Sequence, residues 1–188
     1  MSPSEPADAF ALLELPRRLS LAEAEVLQAH HAAVLKASGD SAMQGRLHEA
    51  REVLIDHPRR IRHWLELAGW SQWQAVPLSE SFMASFGRLG PVLHESLELA
   101  RQLEASSTAL GRARLAARVL GLRQRLEACA AELEALKLPM LESLAQFDQL
   151  SLEQQTANLG ALAMEQARWA YLGKWQAQIQ QAVGRLFF

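Results

Sequence analysis

Cysteine occurs once in the sequence, at Cys129, which excludes an internal disulfide and suits a reducing compartment. Tyrosine also occurs once, and β-branched residues are sparse, so the chain lacks the material of β-sheets. No stretch reaches the roughly 18 uninterrupted apolar residues that a membrane helix needs. The opening Met-Ser-Pro-Ser-Glu-Pro is polar and proline-rich, without the basic and apolar regions of a secretory signal. A large charge of either sign is missing too. The net charge is −2, and nothing global favours nucleic acid or an anionic membrane surface. A cytoplasmic protein is the expectation.

What is present is helical material. The 188 residues are 49% apolar and rich in Ala, Leu, Glu, Gln and Arg, the profile of an all-α protein. Residues 1–7 form a lead-in. Asp8 caps a predicted short helix, Ala9 to Leu15, stopped by Pro16. Ser20 and Glu23 make a capping box for a second helix reaching about Ala37, with Leu21, Ala24, Leu27, His31, Val34 and Leu35 as its apolar stripe. Gly39 ends that helix, and Asp40 or Ser41 caps a third, Ala42 to Asp56, with Met43, Leu47, Ala50, Val53 and Leu54 inward. His57-Pro58 opens a fourth, whose Ile61, Trp64 and Leu65 face one way and three arginines the other. Helices two and three, of similar length with a short turn, are expected to form an antiparallel hairpin within residues 8–69.

Residues 70–78 read as a linker in which Trp70 and Trp73 pack and do not tether loosely. From Ser79 the pattern predicts three long helices that make a bundle over 79–188. Breaks or kinks are expected at Gly90-Pro91, Ser106-Ser107-Thr108 and Pro139, and a capping box at Ser151 and Gln154. Ala113, Ala117 and Gly121 form a row of small residues of the kind that lets helices approach closely. No solenoid repeat and no sustained heptad stands out.

Chemistry-bearing patterns are few. His30 and His31 are adjacent, so they point about 100° apart on a helix and do not converge on one metal. His48-Glu49 and His94-Glu95 lack the second histidine of the zinc-protease pattern, and Cys129 has no CxxC partner. There is no phosphate loop and no GxSxG. Glu132 and Glu134 sit on a solvated helix face. No catalytic residue, cofactor or metal is expected. Arg59-Arg60-Ile61-Arg62 reads as a solvated basic face, without the aromatic interleaving of a nucleic-acid site.

Three stretches carry a family resemblance. Asp8-Ala9-Phe10-Ala11-Leu12-Leu13-Glu14-Leu15-Pro16 resembles the opening of HscB-type J-domain co-chaperones, close to Asp-Tyr-Phe-x-Leu-Phe-Gly-Leu-Pro. Glu49 to Pro58, followed by Arg59-Arg60-Ile61-Arg62-His63-Trp64-Leu65, resembles the end of helix three and helix four of a J domain. Tyr171-Leu172-Gly173-Lys174-Trp175 resembles Phe-Leu-x-Lys-Leu of the HscB C-terminal bundle. The resemblance implies a J domain followed by a three-helix bundle, and a role in iron–sulfur cluster assembly.

The departures are as telling. J domains stimulate their DnaK/HscA-type chaperone through a His-Pro-Asp tripeptide after helix two; a gapless count places it on Ser38, Gly39 and Asp40, where only the aspartate remains. The basic face of helix two is replaced by Glu23, Glu25, Gln28, His30 and His31, with Lys36 the one permanent cation. Chaperone stimulation is therefore expected to be lost, since such docking leans on charge complementarity. HscB proteins also bind the iron–sulfur scaffold protein through the first and last C-terminal helices. On this chain the resemblance puts that surface at Phe82, Met83, Arg88 and Tyr171, with Ala84 and Gly87 in place of larger residues and Phe86, one residue over, expected to compensate. The expected function is binding of that scaffold or another client protein, without bond chemistry. The competing reading is a helical adaptor with other partners, in which Met83, Phe86 and Tyr171 are core.

Overall fold

The computed structural model describes residues 7–72 and 80–186, and every regular element among them is an α-helix. In order these are α1 (Ala9–Leu12), α2 (Glu23–Lys36), α3 (Ser41–Ile55), α4 (His57–Leu67), α5 (Glu80–Ala105), α6 (Ala109–Ala135), α7 (Lys137–Asp148), α8 (Leu152–Ala157) and α9 (Leu159–Arg185). The expected cap at Ser79 and the expected packing of Trp73 fall outside the described residues. No helix among the described residues is long and apolar enough to cross a membrane.

The chain forms two compact units, each discontinuous in sequence. One combines Met1–Val76 with Pro139–Trp169, the other Pro77–Leu138 with Ala170–Phe188. The segment read from sequence as a single bundle over 79–188 thus contributes to both.

In the first unit α3 is central, packing against α1, α2 and α4. Asp8 caps α1 by accepting from the Phe10 and Ala11 amides, while the Ala9 amide donates to Nε2 of His63 at 3.0 Å. Each N–H of that short first turn, left without an intrahelical partner, thereby finds an acceptor. Contacts between α2 and α3 run in opposite chain directions, from Ala37–Gln44 near the turn to His30–His48 further along. The stripe that α2 turns inward is not the one the leucines suggested. Val26 is buried and Ala29, His30, Ala33 and Val34 are partly covered, whereas Leu27 and Leu35 lie exposed. The inward row is displaced by about one position, toward the alanines.

The capping box also moves. Ala22 is the N-cap of α2, its amide held by the Glu25 carboxylate at 2.8 Å. Ser20 is engaged elsewhere: its amide and hydroxyl donate to one oxygen of Asp148 at 2.8 and 2.6 Å, and the Leu19 amide to the other at 2.8 Å. From the other side, Arg60 donates to the carbonyls of Leu19, Leu21 and Leu54. Arg60 is fully buried, which corrects the solvated basic face expected at Arg59 to Arg62. Burial pulls its guanidinium down to about 10, against the opposing pull of Asp148, Asp56 and Glu25. The loop before α2 is thus clamped by a buried cation on its carbonyls and a carboxylate on its amides. Trp64 meets Phe147 edge-on at 5.1 Å, and His57 stacks flat on Trp169 at 4.2 Å, joining α4 to α7 and to the first half of α9.

In the second unit α5 packs along α6. Arg88–Glu132, Glu95–Arg125 and Gln102–Arg118 are bonded across the pair, seven residues apart on each helix and running oppositely. That spacing is an antiparallel heptad register. Leu89, Val92, Ser96 and Leu99 on α5, and Leu122, Leu126 and Leu133 on α6, form its buried seam at steps of three and four, with Cys129 half-buried between Leu126 and Leu133. The heptad that the sequence did not reveal is therefore present. Ser96 and Cys129 interrupt the run of large apolar residues that would have announced it. Helix α5 continues through Pro91, which lies exposed within it, and the expected long helix from 109 divides at Leu136, ahead of Pro139. Ala113 and Ala117 are exposed, and a side chain at Gly121 would meet nothing, so the small-residue row is an open face and not a helix contact. The last helix expected from Ser151 is likewise split, Asn158 closing α8 before α9 begins.

Candidate functional site

The turn between α2 and α3 uses each of its polar groups locally. Ser38 donates its hydroxyl to the Leu35 carbonyl at 2.7 Å. Gly39 has φ +92°, a conformation that L side chains rarely adopt. Asp40 caps α3, its carboxylate accepting from the Met43 amide at 2.9 Å. Lys36 is held by both carboxylate oxygens of Glu14, at 2.8 and 2.9 Å. Glu14 itself stands at φ 55°, in the left-handed region, at the position where the resembling family carries glycine. A residue that tolerates this backbone poorly is thus placed where its carboxylate reaches the end of α2. Ser38, Gly39 and Asp40 are exposed together on the turn, but their chemistry is that of a helix stop and a helix start.

The second unit presents a different surface. Phe82, Met83 and Phe86 occupy the first two turns of α5, and Tyr171 and Trp175 one turn of α9. Spacings of three and four residues put each set on one helical face. Trp175 is the hub. Its ring lies 5.0 Å from Phe82, 5.5 Å from Phe86 in a stacked arrangement, and 6.1 Å from Tyr171. Trp175 and Phe82 are buried, yet Met83, Phe86 and Tyr171 are 48%, 43% and 42% exposed. Aromatic and methionine side chains at this exposure form the kind of surface that partner proteins cover.

Of the residues expected at a docking surface, the structure gathers Phe82, Phe86 and Tyr171 around one ring, with Met83 one position from Phe82 and three from Phe86 on α5. Arg88 stands apart in role: its guanidinium makes two bonds to Glu132 of α6, at 3.0 and 3.2 Å, and belongs to the heptad ladder. Trp175 is the residue that sequence reasoning overlooked. Its signal was its place four residues after Tyr171, which puts both on the same face. Phe82 and Leu89 are core, while Met83 and Phe86, which the competing reading places in the core, are not.

Among the described residues, burial also shifts a thiol and a histidine. Burial, then Glu132, raises the Cys129 thiol, the opposite of what a nucleophile needs. Burial lowers His63, whose ring accepts the Ala9 amide. Among the described residues no group of three or more His, Cys, Asp or Glu is placed to hold a metal ion. No family model, curated protein or solved structure matches the chain.

Proposed function

We propose that this chain is a divergent, HscB-like co-chaperone relative that binds a client protein, the iron–sulfur scaffold in the first instance, through the aromatic face of α5 and α9. The observation that carries the reading is the exposure of Met83, Phe86 and Tyr171 beside a buried tryptophan. Covering what remains exposed of each would recover about half of the roughly 1.5–3 kcal/mol that full burial of such a side chain is worth. The adaptor reading that buries these three residues as core is less well supported by the same exposure.

In this proposal the J-domain turn no longer stimulates a DnaK/HscA-type chaperone. The carboxylate of Asp40 is engaged as a helix cap and Lys36 is paired with Glu14, so both charges already have partners within the chain. Function is then binding in the cytoplasm, with no bond made or broken by this chain. Two assays test the two halves. Adding the protein to a DnaK-class chaperone should leave ATP turnover at its basal rate, and clear stimulation would refute the loss. A pull-down with the iron–sulfur scaffold should retain the chain, and its absence from the bound fraction with the fold intact would refute the docking.

A further inference from the structure

The first unit holds a histidine pair that neither the turn nor the docking face uses. His30 on α2 and His48 on α3 are brought together across the hairpin, Nε2 of the first lying 3.1 Å from Nδ1 of the second. Their ring centroids are 4.8 Å apart, with the ring planes at 48°. Two imidazoles meeting nitrogen to nitrogen in line would hold their centroids roughly 5.4 Å apart at this nitrogen separation, so the rings are bent away from a linear hydrogen bond.

From this we infer that His30 and His48 form a two-point site for a borderline-soft divalent transition metal ion such as Zn²⁺, Ni²⁺ or Cu²⁺, which ties α2 to α3. Nitrogens 3.1 Å apart are bridged by an ion at about 2.0–2.1 Å from each with an angle at the metal of about 100°, near the tetrahedral value. The ion takes the place of the proton that the two rings now share. That proton moves to the outward nitrogen of its own ring, both imidazoles remain neutral, and each gives one lone pair to the metal. Water completes the coordination, because His48 is exposed and His30 half-covered. Imidazole ligands select Cu²⁺, Ni²⁺ and Zn²⁺ over Mg²⁺ and Ca²⁺, which require oxygen cages. His31 on α2 and Arg51 on α3 are the neighbouring groups that act on His30. The Arg51 charge opposes a cation, so binding is of modest strength and serves as a staple responsive to metal supply, not as a permanent structural centre. The pair escapes a sequence scan because its members lie 18 residues apart on different helices.

The test uses the untagged full chain and zinc chloride. Calorimetry should find one saturable Zn²⁺ site of modest affinity per chain, and a hundredfold excess over Kd should raise Tm by several degrees, since an ion bound only by the folded form stabilises it by mass action. His30→Gln and His48→Gln, which keep hydrogen-bonding side chains in place, should each weaken Zn²⁺ binding at least tenfold and abolish the Tm shift. His31→Gln should leave both as in the parent. Proton resonances of the His30 and His48 rings should shift on zinc addition while those of His94 stay. No binding at millimolar zinc, or undiminished binding and Tm shift in the His30→Gln/His48→Gln double variant, would overturn the site. Should a variant lose its helical circular dichroism, the ring resonances of the parent protein decide by themselves.

Discussion

The two units treat their exceptional side chains in opposite ways. In the first, charged groups are drawn inward: Arg60 is buried under three carbonyls, and Asp148 takes two amides and a hydroxyl of the same loop. In the second, apolar groups are left outside: Met83, Phe86 and Tyr171 stay in water around Trp175. Burying a cation and exposing aromatic rings are both unfavourable unless something else compensates. For Arg60 the compensation is visible in the three carbonyls. For the aromatic face nothing among the described residues supplies it, and this is why the proposed binding is placed on the second unit.

The sharpest way to break the comparison is to remove the internal cation. Arg60→Ala leaves the Leu19, Leu21 and Leu54 carbonyls without their buried donor, and should cost about 3–5 kcal/mol in urea unfolding. Scaffold binding by whatever fraction stays folded should be unchanged.

Next is Trp175→Phe, which keeps a ring at the hub but removes part of its volume. Stability should fall by about 1–3 kcal/mol, and affinity for the scaffold should fall with it because Phe86 and Tyr171 lose the surface that orients them. Loss of stability with full affinity would dissociate the hub from the face.

A pH series probes the first unit more gently. Burial depresses His63 in the folded state, and its neutral ring is the acceptor for the Ala9 amide. The unfolded chain therefore takes up the proton first. The contribution of His63 is full above its ordinary value of 6.5 and is lost as pH falls through 6.5 toward the lower folded value. His30, lowered by burial and then by His48, acts in the same direction. Unfolding free energy should decline between pH 7 and pH 5, and His63→Gln should flatten part of that slope.

The smallest effect belongs to Glu14→Gly. It relieves a left-handed backbone and also removes an exposed ion pair, worth at most about 1 kcal/mol. The net change should be stabilising by less than about 1 kcal/mol. Lys36 becomes free, so any residual chaperone stimulation should rise in this variant and not fall.

Much of the helical plan was legible because caps and breakers act locally. Asp8, Asp40, Pro58, Thr108 and Ser151 stand at helix starts for reasons that their neighbours supply. What stayed hidden depends on distant residues. Ser20 reads as a cap until Asp148, 128 residues away, takes its amide and hydroxyl. Arg60 reads as surface among other arginines until three carbonyls converge on it. The seam of α5 and α6 was masked by Ser96 and Cys129, and by polar pairs whose partners lie 16 to 44 residues away. At the aromatic face Phe82, Met83, Phe86 and Tyr171 were singled out one by one, but the ring that gathers them, Trp175, stood only inside a quoted motif, because its contacts are with α5.

The central claim is that Met83, Phe86 and Tyr171 are kept in water for a partner. Calorimetric titration of the iron–sulfur scaffold into the parent chain and into Met83→Ala/Phe86→Ala/Tyr171→Ala tests it most directly. Saturable binding by the parent and loss of at least tenfold in affinity by the variant, with little change in its unfolding midpoint, is the predicted result. No binding by the folded parent, or equal binding by the variant, would contradict the account.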